Sequence, residues 1–551
     1  VSLIAAACGG DDDDEGAGGD GGGEAAEEGV QGGELVDLGT FVGDPPEHID
    51  PALNVTLDAN QVVDSLYDGL TEVDESDPEN PQAVGQVAES WESNDDATVW
   101  TFQIREGLAF SDGTPVLPSS FVRAWERATE PDFAGDYSYL FGFIDGGDEK
   151  LAGEADEISG VVADDDAMTL EVTMNEAYAN FPYVAGFEPF APMPEAVDEL
   201  TDQNEWENGV MVGNGPFMLE ESRTDEEIVL VPNPEWDGSV YDEALGLPEQ
   251  PFLDRIRFRV SADPDTAYNS FEAGEGDTAL IPPGRVQEAD DNYETTLDVP
   301  ALASYHFEIN WEDPVVGGEE NVLLRQAISQ AINRDEINDA VYDGSRTTST
   351  GITPRGIPGF AEDLCEYCTY DPEAAEAAFQ AWQDEGNELT EPLRVQFNAG
   401  AGHEPVVQIM IDNLGEIGIE AEEEPFDTET YFTQLADGAC QVCRSGWNAD
   451  YPTYDNFMYD LFHTDAIGGN NHGAYSVPEF DQLVDEAKTI LDPEEQAEMF
   501  QEAERVLLND SIGVIPVNWY LGDYVYNGEK IANFPQSNQQ RITWEMVSLR
   551  E

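Results

Sequence analysis

Apolar and polar positions alternate from Thr98 to Ile104, which puts Trp100, Phe102 and Ile104 on one face of a half-buried strand. Leu170, Val172 and Met174 alternate in the same way, as do Ile256, Phe258 and Val260. The period changes between Asn321 and Val341. Leu324, Ala327, Ile328, Ala331 and Ile332 form a stripe, and the spacing predicts a single helix. Helix starts are marked further on. Asp371-Pro372 and Asp492-Pro493 each offer a capping carboxylate followed by proline at the first helical position, where a missing N–H costs nothing. Ser476 with Glu479 reads as a capping box ahead of Phe480, Leu483, Val484 and Ala487. Strands and helices are mixed throughout, with no short internal repeat, so the class is α/β.

The 551 residues are several times a usual domain length, and 40% hydrophobic and 10% aromatic residues suffice for sizeable cores. Charge changes the picture. Asp and Glu number 119 against 20 Lys and Arg, a formal net charge of −99. Phosphate binding needs clustered cations, so nucleic acid is excluded as a partner. A surface this negative repels itself, and salt screens the repulsion, which predicts a saline or alkaline extracellular setting. No run of about 18 apolar residues spans a membrane.

The opening Val1-Ser-Leu-Ile-Ala-Ala-Ala-Cys8 reads as the tail of a secretory signal, and small residues before Cys8 resemble a lipoprotein processing site with Cys8 as the lipidated residue. Ala5 stands where a Leu is usual. Residues 9–35, almost all Gly, Asp, Glu and Ala, are expected to form an acidic tether, because they have no apolar surface to bury.

Signatures of catalysis are sparse. There is no Gly-Lys pair for a phosphate loop, no His-Glu-x-x-His and no Gly-x-Ser-x-Gly. Carboxylate pairs are inevitable among 119 acids and carry no information. No catalytic residue, cofactor or metal is assigned. Cys365-x-x-Cys368 and Cys440-x-x-Cys443 would suit a four-thiolate zinc site if the fold joined them. An exported chain favours disulfides, and the two local pairs are the expected connectivity, with free thiols the remaining alternative.

One segment suggests a ligand. In Arg444-Ser-Gly-Trp447-Asn-Ala-Asp450-Tyr451-Pro452, one of only 17 arginines lies six residues from an acid across an aromatic turn. Taken alone it reads as a loop Asp beside a packed Trp. An Arg fork, however, holds a carboxylate in bidentate geometry and an Asp holds an ammonium, so the pair suits the two ends of a zwitterion.

From about Gly39 onward the chain resembles the dipeptide- and oligopeptide-binding receptors of ABC importers, the extracellular solute-binding proteins of family 5. The resemblance rests on Ala88-Glu-Ser-Trp91 through Phe110-Ser-Asp-Gly-Thr-Pro115, Ser120-Phe-Val-Arg-Ala-Trp125, Gly213-Asn-Gly-Pro-Phe217, Asn233-Pro-Glu-Trp236, Phe271-Glu-Ala-Gly-Glu-Gly-Asp277, Leu324 to Asn333, and Gly446-Trp-Asn-Ala-Asp-Tyr-Pro452. It implies a periplasmic-binding-protein type II fold: two α/β lobes joined by crossing segments, with an extra domain inserted in the first. The implied boundaries are 1–8 for the signal remnant, 9–35 for the tether, 36–75 with 205–300 and 513–551 for the first lobe, 76–204 for the insertion, and 301–512 for the second lobe. In oligopeptide-binding members the Asp of this last motif pairs with the ligand's α-ammonium, and Asp450 matches it. Arg444 matches an Arg that meets the ligand's carboxylate in some members. Gly446 and Trp447 match a segment that pairs with the peptide backbone, and Tyr451 completes the candidate set. The implied function is capture of a peptide, lobe closure, and delivery to a permease and ATPase by a monomeric, lipid-anchored receptor at the outer membrane face or in the periplasm. The alternatives are the same receptor for a nickel complex, haem, sugar or opine, or a secreted zinc or hydrolytic protein on this scaffold.

Overall fold

A computed structural model of the chain describes residues 29–43, 45–54, 56–78, 80–200, 203, 206–220, 226–436 and 438–551. Cys8, the signal remnant and most of the expected tether lie outside these residues. The last part of that tether is built into the body. Val30 pairs with Leu549, the Gly32 N–H donates to the Phe252 carbonyl, and the first strand already begins at Glu34.

Two long antiparallel strands organise the molecule, Thr296–Ile309 and Val514–Tyr526. They lie at the middle of an eleven-stranded mixed sheet. On one side follow Val442–Asn448, Leu393–Asn398 and Ala421–Phe426; on the other follow Thr278–Leu280, Glu34–Asp37, Arg255–Arg259, Glu227–Pro232 and Phe217–Leu219; the eleventh, Thr347–Thr348, pairs with Val514–Tyr526 off this path. Thr296 to Pro300 pair with Leu521 to Val525 in the first half of the sheet, and Ser304 to Glu308 pair with Val514 to Trp519 in the second. The ladder slips between Pro300 and Ser304 and again between Tyr305 and His306, which faces Pro516. Pro300 and Pro516 have no N–H to give to the ladder, so both slips fall beside a proline. The change between the two runs of pairing falls inside the Val514–Tyr526 strand, near Tyr520.

Each half has its own core. Helices cover both faces of the sheet in the second half, around Ser304 to Ile309 and Val514 to Trp519. Leu324, Ile328, Val395, Phe397 and Met410 pack on one face with Phe307 and Ile309; Phe457, Leu461, Phe480, Phe500 and Leu507 pack on the other with Leu302 and Val514. In the opposite half, Leu35, Ile256 and Phe258 share a continuous core with a four-stranded antiparallel sheet of Ala88–Ser93, Val99–Ile104, Thr169–Thr173 and Val161–Asp164. The alternating residues are its inward face: Phe102, Leu170 and Val172 are fully buried, and Trp100, Ile104 and Met174 nearly so.

The Asp-Pro starts are helix starts. Asp371 accepts from the Ala374 N–H ahead of Pro372–Asp384, and Asp492 accepts from Glu494 and Glu495 N–H ahead of Pro493–Arg505. Two expectations are corrected. The stretch 321–341 is two helices, Val322–Ala331 and Arg334–Val341, because Ile332 is extended and Asn333 caps the second through the Glu336 N–H. The break is stabilised by Arg334, whose buried guanidinium donates to the carbonyls of Ser329, Cys368 and Pro516. Ser476 caps nothing: Pro478 starts its helix, Val477 is the cap, and the Ser476 hydroxyl bonds Thr464. Cys365 is bonded to Cys368 and Cys440 to Cys443. The pairs lie in separate cores, and among the described residues no cluster of three or more His, Cys, Asp or Glu is arranged for a metal. No helix among them is long and apolar enough to cross a membrane.

Candidate functional site

A cavity of about 550 Å³ opens where the two halves of the sheet meet. Its walls come from three places: Gly39, Leu57 and Gln61 of the first half, Tyr520 to Tyr524 of the crossing strand, and Arg346, Arg444, Gly446 and Trp447 of the second half. That volume suits a small guest.

Strand register aims the Arg444 end of the motif at this space. The Val442–Asn448 strand pairs with Thr296–Ile309, so that Arg444 faces Phe307, Gly446 faces Tyr305 and Trp447 faces Ser304. The Arg444 guanidinium lies over the Tyr305 ring, 5.0 Å from its centroid, and its Nη2 donates to Tyr520 Oη at 3.0 Å. Its Nε is buried without a partner, and among the described residues no carboxylate pairs with it. The positive charge is felt nearby: His403, bonded to Tyr305 Oη at 3.3 Å, is pushed down to about 3 by burial and then by Arg444. Gly446 leaves the guanidinium clear, since a Cβ there would come within 3.3 Å of both Arg444 Nη2 and Tyr520 Oη. A second cation on the same wall, Arg346, is neutralised by Asp523 at 3.2 Å.

Asp450 and Tyr451 are elsewhere, which corrects the expectation that one cleft would present both ends of the motif. The strand stops at Asn448, and the Ala449 N–H turns to the Leu302 carbonyl. Asp450 then points toward Tyr137. Its carboxylate, 8% exposed, accepts from Tyr137 Oη at 3.0 Å and Asn456 Nδ2 at 3.2 Å. It lines a space of only about 10 Å³ shared with Glu72, Phe187, Gln539 and Arg541. Burial raises its pKa to about 6, opposed by the two hydrogen bonds and the charge of Arg541. Tyr451 is buried with its hydroxyl on Asp460 and its ring 6.2 Å from Phe187. One residue links the two places: Asn456 Oδ1 accepts from Trp447 Nε1 and from the Asp450 N–H, both at 3.0 Å.

Around Asp450, the stretch from Tyr137 to Ala179 meets the stretch from Asp450 to Lys488. Tyr178 Oη donates to Asp455 at 2.7 Å, and the Ala179 N–H donates to the Lys488 carbonyl at 3.0 Å. The Lys488 ammonium sits 3.5 Å from the Tyr459 ring centroid and 4.4 Å from that of Phe143. Tyr137, Asn456, Tyr520, Arg346 and Lys488 were not picked out by sequence reasoning. They come from distant segments and carry no local pattern; the scarcity of Arg and Lys was the one usable signal for the last two.

Residues 82–469 match the family described as bacterial extracellular solute-binding proteins, family 5 Middle. Among relatives, the periplasmic oligopeptide-binding protein OppA of Escherichia coli K12 is 28% identical over 87% of this chain and 86% of its own length. A probable deoxycholate-binding periplasmic protein of the same organism, YgiS, is 27% identical over 88% and 91%. Among solved structures, Haemophilus influenzae OppA in complex with the peptide RPPGFSPFR matches with a TM-score of 0.77 at 22% identity, covering 95% of this chain and all of that one. With two half-sheets joined by paired crossing strands and a cavity at their junction, the chain belongs to the bacterial extracellular solute-binding proteins of family 5.

Proposed function

We propose that this protein captures short peptides outside the cell and delivers them to an ABC importer, with no bond made or broken. One observation carries the reading: in a chain of net charge −99, Arg444 is held on the wall of a cavity between the lobes with no counter-carboxylate among the described residues. A desolvated guanidinium in that position is complementary to a ligand carboxylate. Asp450 takes the ligand's ammonium, which replaces the Tyr137 hydroxyl when the inserted segment and the second lobe part and close again. The relative named as an oligopeptide-binding protein supports a peptide ligand.

A second reading has one specific support. Val42, Leu57, Leu280 and Ile281 give the cavity an apolar wall, which with Arg444 also suits an apolar carboxylic acid, as the relative named as deoxycholate-binding suggests. Mass spectrometry of small molecules released from the purified protein separates the two. Short peptides are expected, and a steroid acid or another non-peptide solute would overturn the peptide reading.

Cys8 is the proposed lipid anchor, with the acidic tether behind it and a permease and ATPase as partners. The surface charge supports a saline setting. The melting temperature is expected to rise steadily from low to molar NaCl, because screening relieves self-repulsion; a flat dependence counts against that setting.

A further inference from the structure

We propose that Asn456 is a positioning residue for the ligand's amino end: it fixes where the Asp450 carboxylate stands relative to the Trp447 wall of the cavity, and through that carboxylate it sets how strongly a free ammonium is preferred; this rests on the peptide reading above. Asn456 lies on the helix Asp455–Phe462 and is fully buried. Every hydrogen-bonding position of its amide is filled. Oδ1 accepts from Trp447 Nε1 and from the Asp450 N–H, both at 3.0 Å, and Nδ2 donates to Asp450 Oδ2 at 3.2 Å and to Asp460 Oδ2 at 2.8 Å. These partners fix which way the amide faces, because the reversed group would set its NH2 against two N–H donors and its oxygen against two carboxyls. One side chain therefore holds Asp450 by its backbone and by its carboxylate, and also holds Trp447, which lines the 550 Å³ cavity.

The two oxygens of Asp450 have different partners. Tyr137 donates to Oδ1 and Asn456 to Oδ2. An ammonium that replaces the tyrosine hydroxyl meets Oδ1, while the amide keeps its hold on Oδ2 and supports the charged form. The neighbouring acid is kept out of the contest. Asp460 also accepts from Tyr451 Oη at 3.1 Å, and burial, with Asp455 and Asp450 nearby, pushes its carboxyl well above the ordinary range. Asp460 keeps its proton where Asp450 ionises, so of the two carboxyls bridged by Asn456 it is Asp450 that carries the charge. The other ionisable groups around the Asp450 carboxylate are Tyr139, Tyr183, Glu72 and Arg541.

The test is calorimetric titration of the full chain with trialanine and N-acetyl-trialanine from about pH 5 to 8. In wild type the preference for the free amine should fade as pH drops through about 6. In Asn456→Leu, similar in bulk but with nothing to donate, that midpoint should rise by about one unit, and the preference at pH 6 should drop roughly fivefold. Asn456→Ala, where water can enter and donate, should show a smaller change in the same direction, and it serves if the leucine variant does not fold. A merely structural role would weaken both peptides alike and leave the midpoint in place. In an Asp450→Asn background, replacing Asn456 should alter the preference no further, which separates its effect from that of Glu72, the other carboxyl on the small space. An unmoved midpoint with an unchanged preference in the folded variants, the same drop in the Asp450→Asn background, or a wild type without preference for the free amine overturns the proposal while leaving a peptide ligand intact. If wild type binds neither peptide, the peptide reading itself fails and the proposal falls with it.

Discussion

Arg444→Leu is expected to weaken a short peptide with a free carboxylate by about 2–5 kcal/mol, roughly 30-fold to several thousandfold, the usual cost of removing one partner of a buried charge pair. The same peptide with an amidated carboxyl end should bind wild type and variant within roughly threefold of each other, because it brings no charge for Arg444 to meet. The structural reason is that no acid among the described residues competes for it. Arg444 is held by Tyr520 Oη and the Tyr305 ring, which orient it without neutralising it, whereas Arg346 on the same wall is already paired with Asp523. Arg346→Leu is therefore the useful comparison, since its charge is not available to a ligand. Calorimetric titration of both peptides with both variants decides the matter. Equal losses for acid and amide would remove the carboxylate contact.

Asp450→Asn should act in opposite directions on binding and on stability. Burial raises the Asp450 carboxyl from an ordinary 3.8 to about 6. A folded-state pKa above the unfolded one means that the native state holds the proton more tightly, so native stability falls as pH rises through the interval from about 4 to 6 and the loss is complete above it. A shift of about two units corresponds to about 3 kcal/mol. Asparagine carries no such charge and keeps a similar shape, and its one oxygen can still accept from Tyr137, although its NH2 cannot replace the oxygen that accepts from Asn456. The variant should thus be more stable than wild type at neutral pH, by up to that amount, and the difference should vanish below about pH 4. Binding moves the other way. Peptides with a free amino terminus should lose affinity on Asp450→Asn, and in wild type they should weaken as pH falls through about 6, where the carboxylate is protonated. N-acetylated peptides should respond to neither change. Urea unfolding of both proteins across this range, with parallel titrations, tests both halves. A variant less stable than wild type at neutral pH would contradict the burial cost, and equal losses for free and acetylated peptides would contradict the ammonium contact.

The two predictions concern one motif whose ends the fold separates, and this marks how far the sequence could be read. The alternation of Trp100, Phe102 and Ile104 and the Asp-Pro caps at Asp371 and Asp492 were legible because each depends on neighbours in the chain: a strand's period, or a carboxylate three residues from an orphan N–H. The single helix expected over 321–341 failed at Ile332, where the stripe continues but the backbone turns out. What stabilises that turn is Arg334 reaching the Cys368 and Pro516 carbonyls, and no pattern within the stretch encodes such partners. Ser476 failed for a local reason that was present in the sequence: Pro478 fixes the first turn one residue too late for a serine cap.

Hydrophobic period and caps by themselves determined the mixture of strands and helices, the strands around Phe102, Leu170 and Phe258 and the helix starts at Pro372 and Pro493, since these follow from local sterics and hydrogen bonding. Only the tertiary structure decided that Arg444 lies on a strand at a cavity wall with no acid opposite it among the described residues, and that Asp450 leaves that strand for a pocket against Tyr137. Those facts depend on which distant segments the crossing strands bring together, and the energy of a buried charge is set by everything around it, wherever in the chain it comes from.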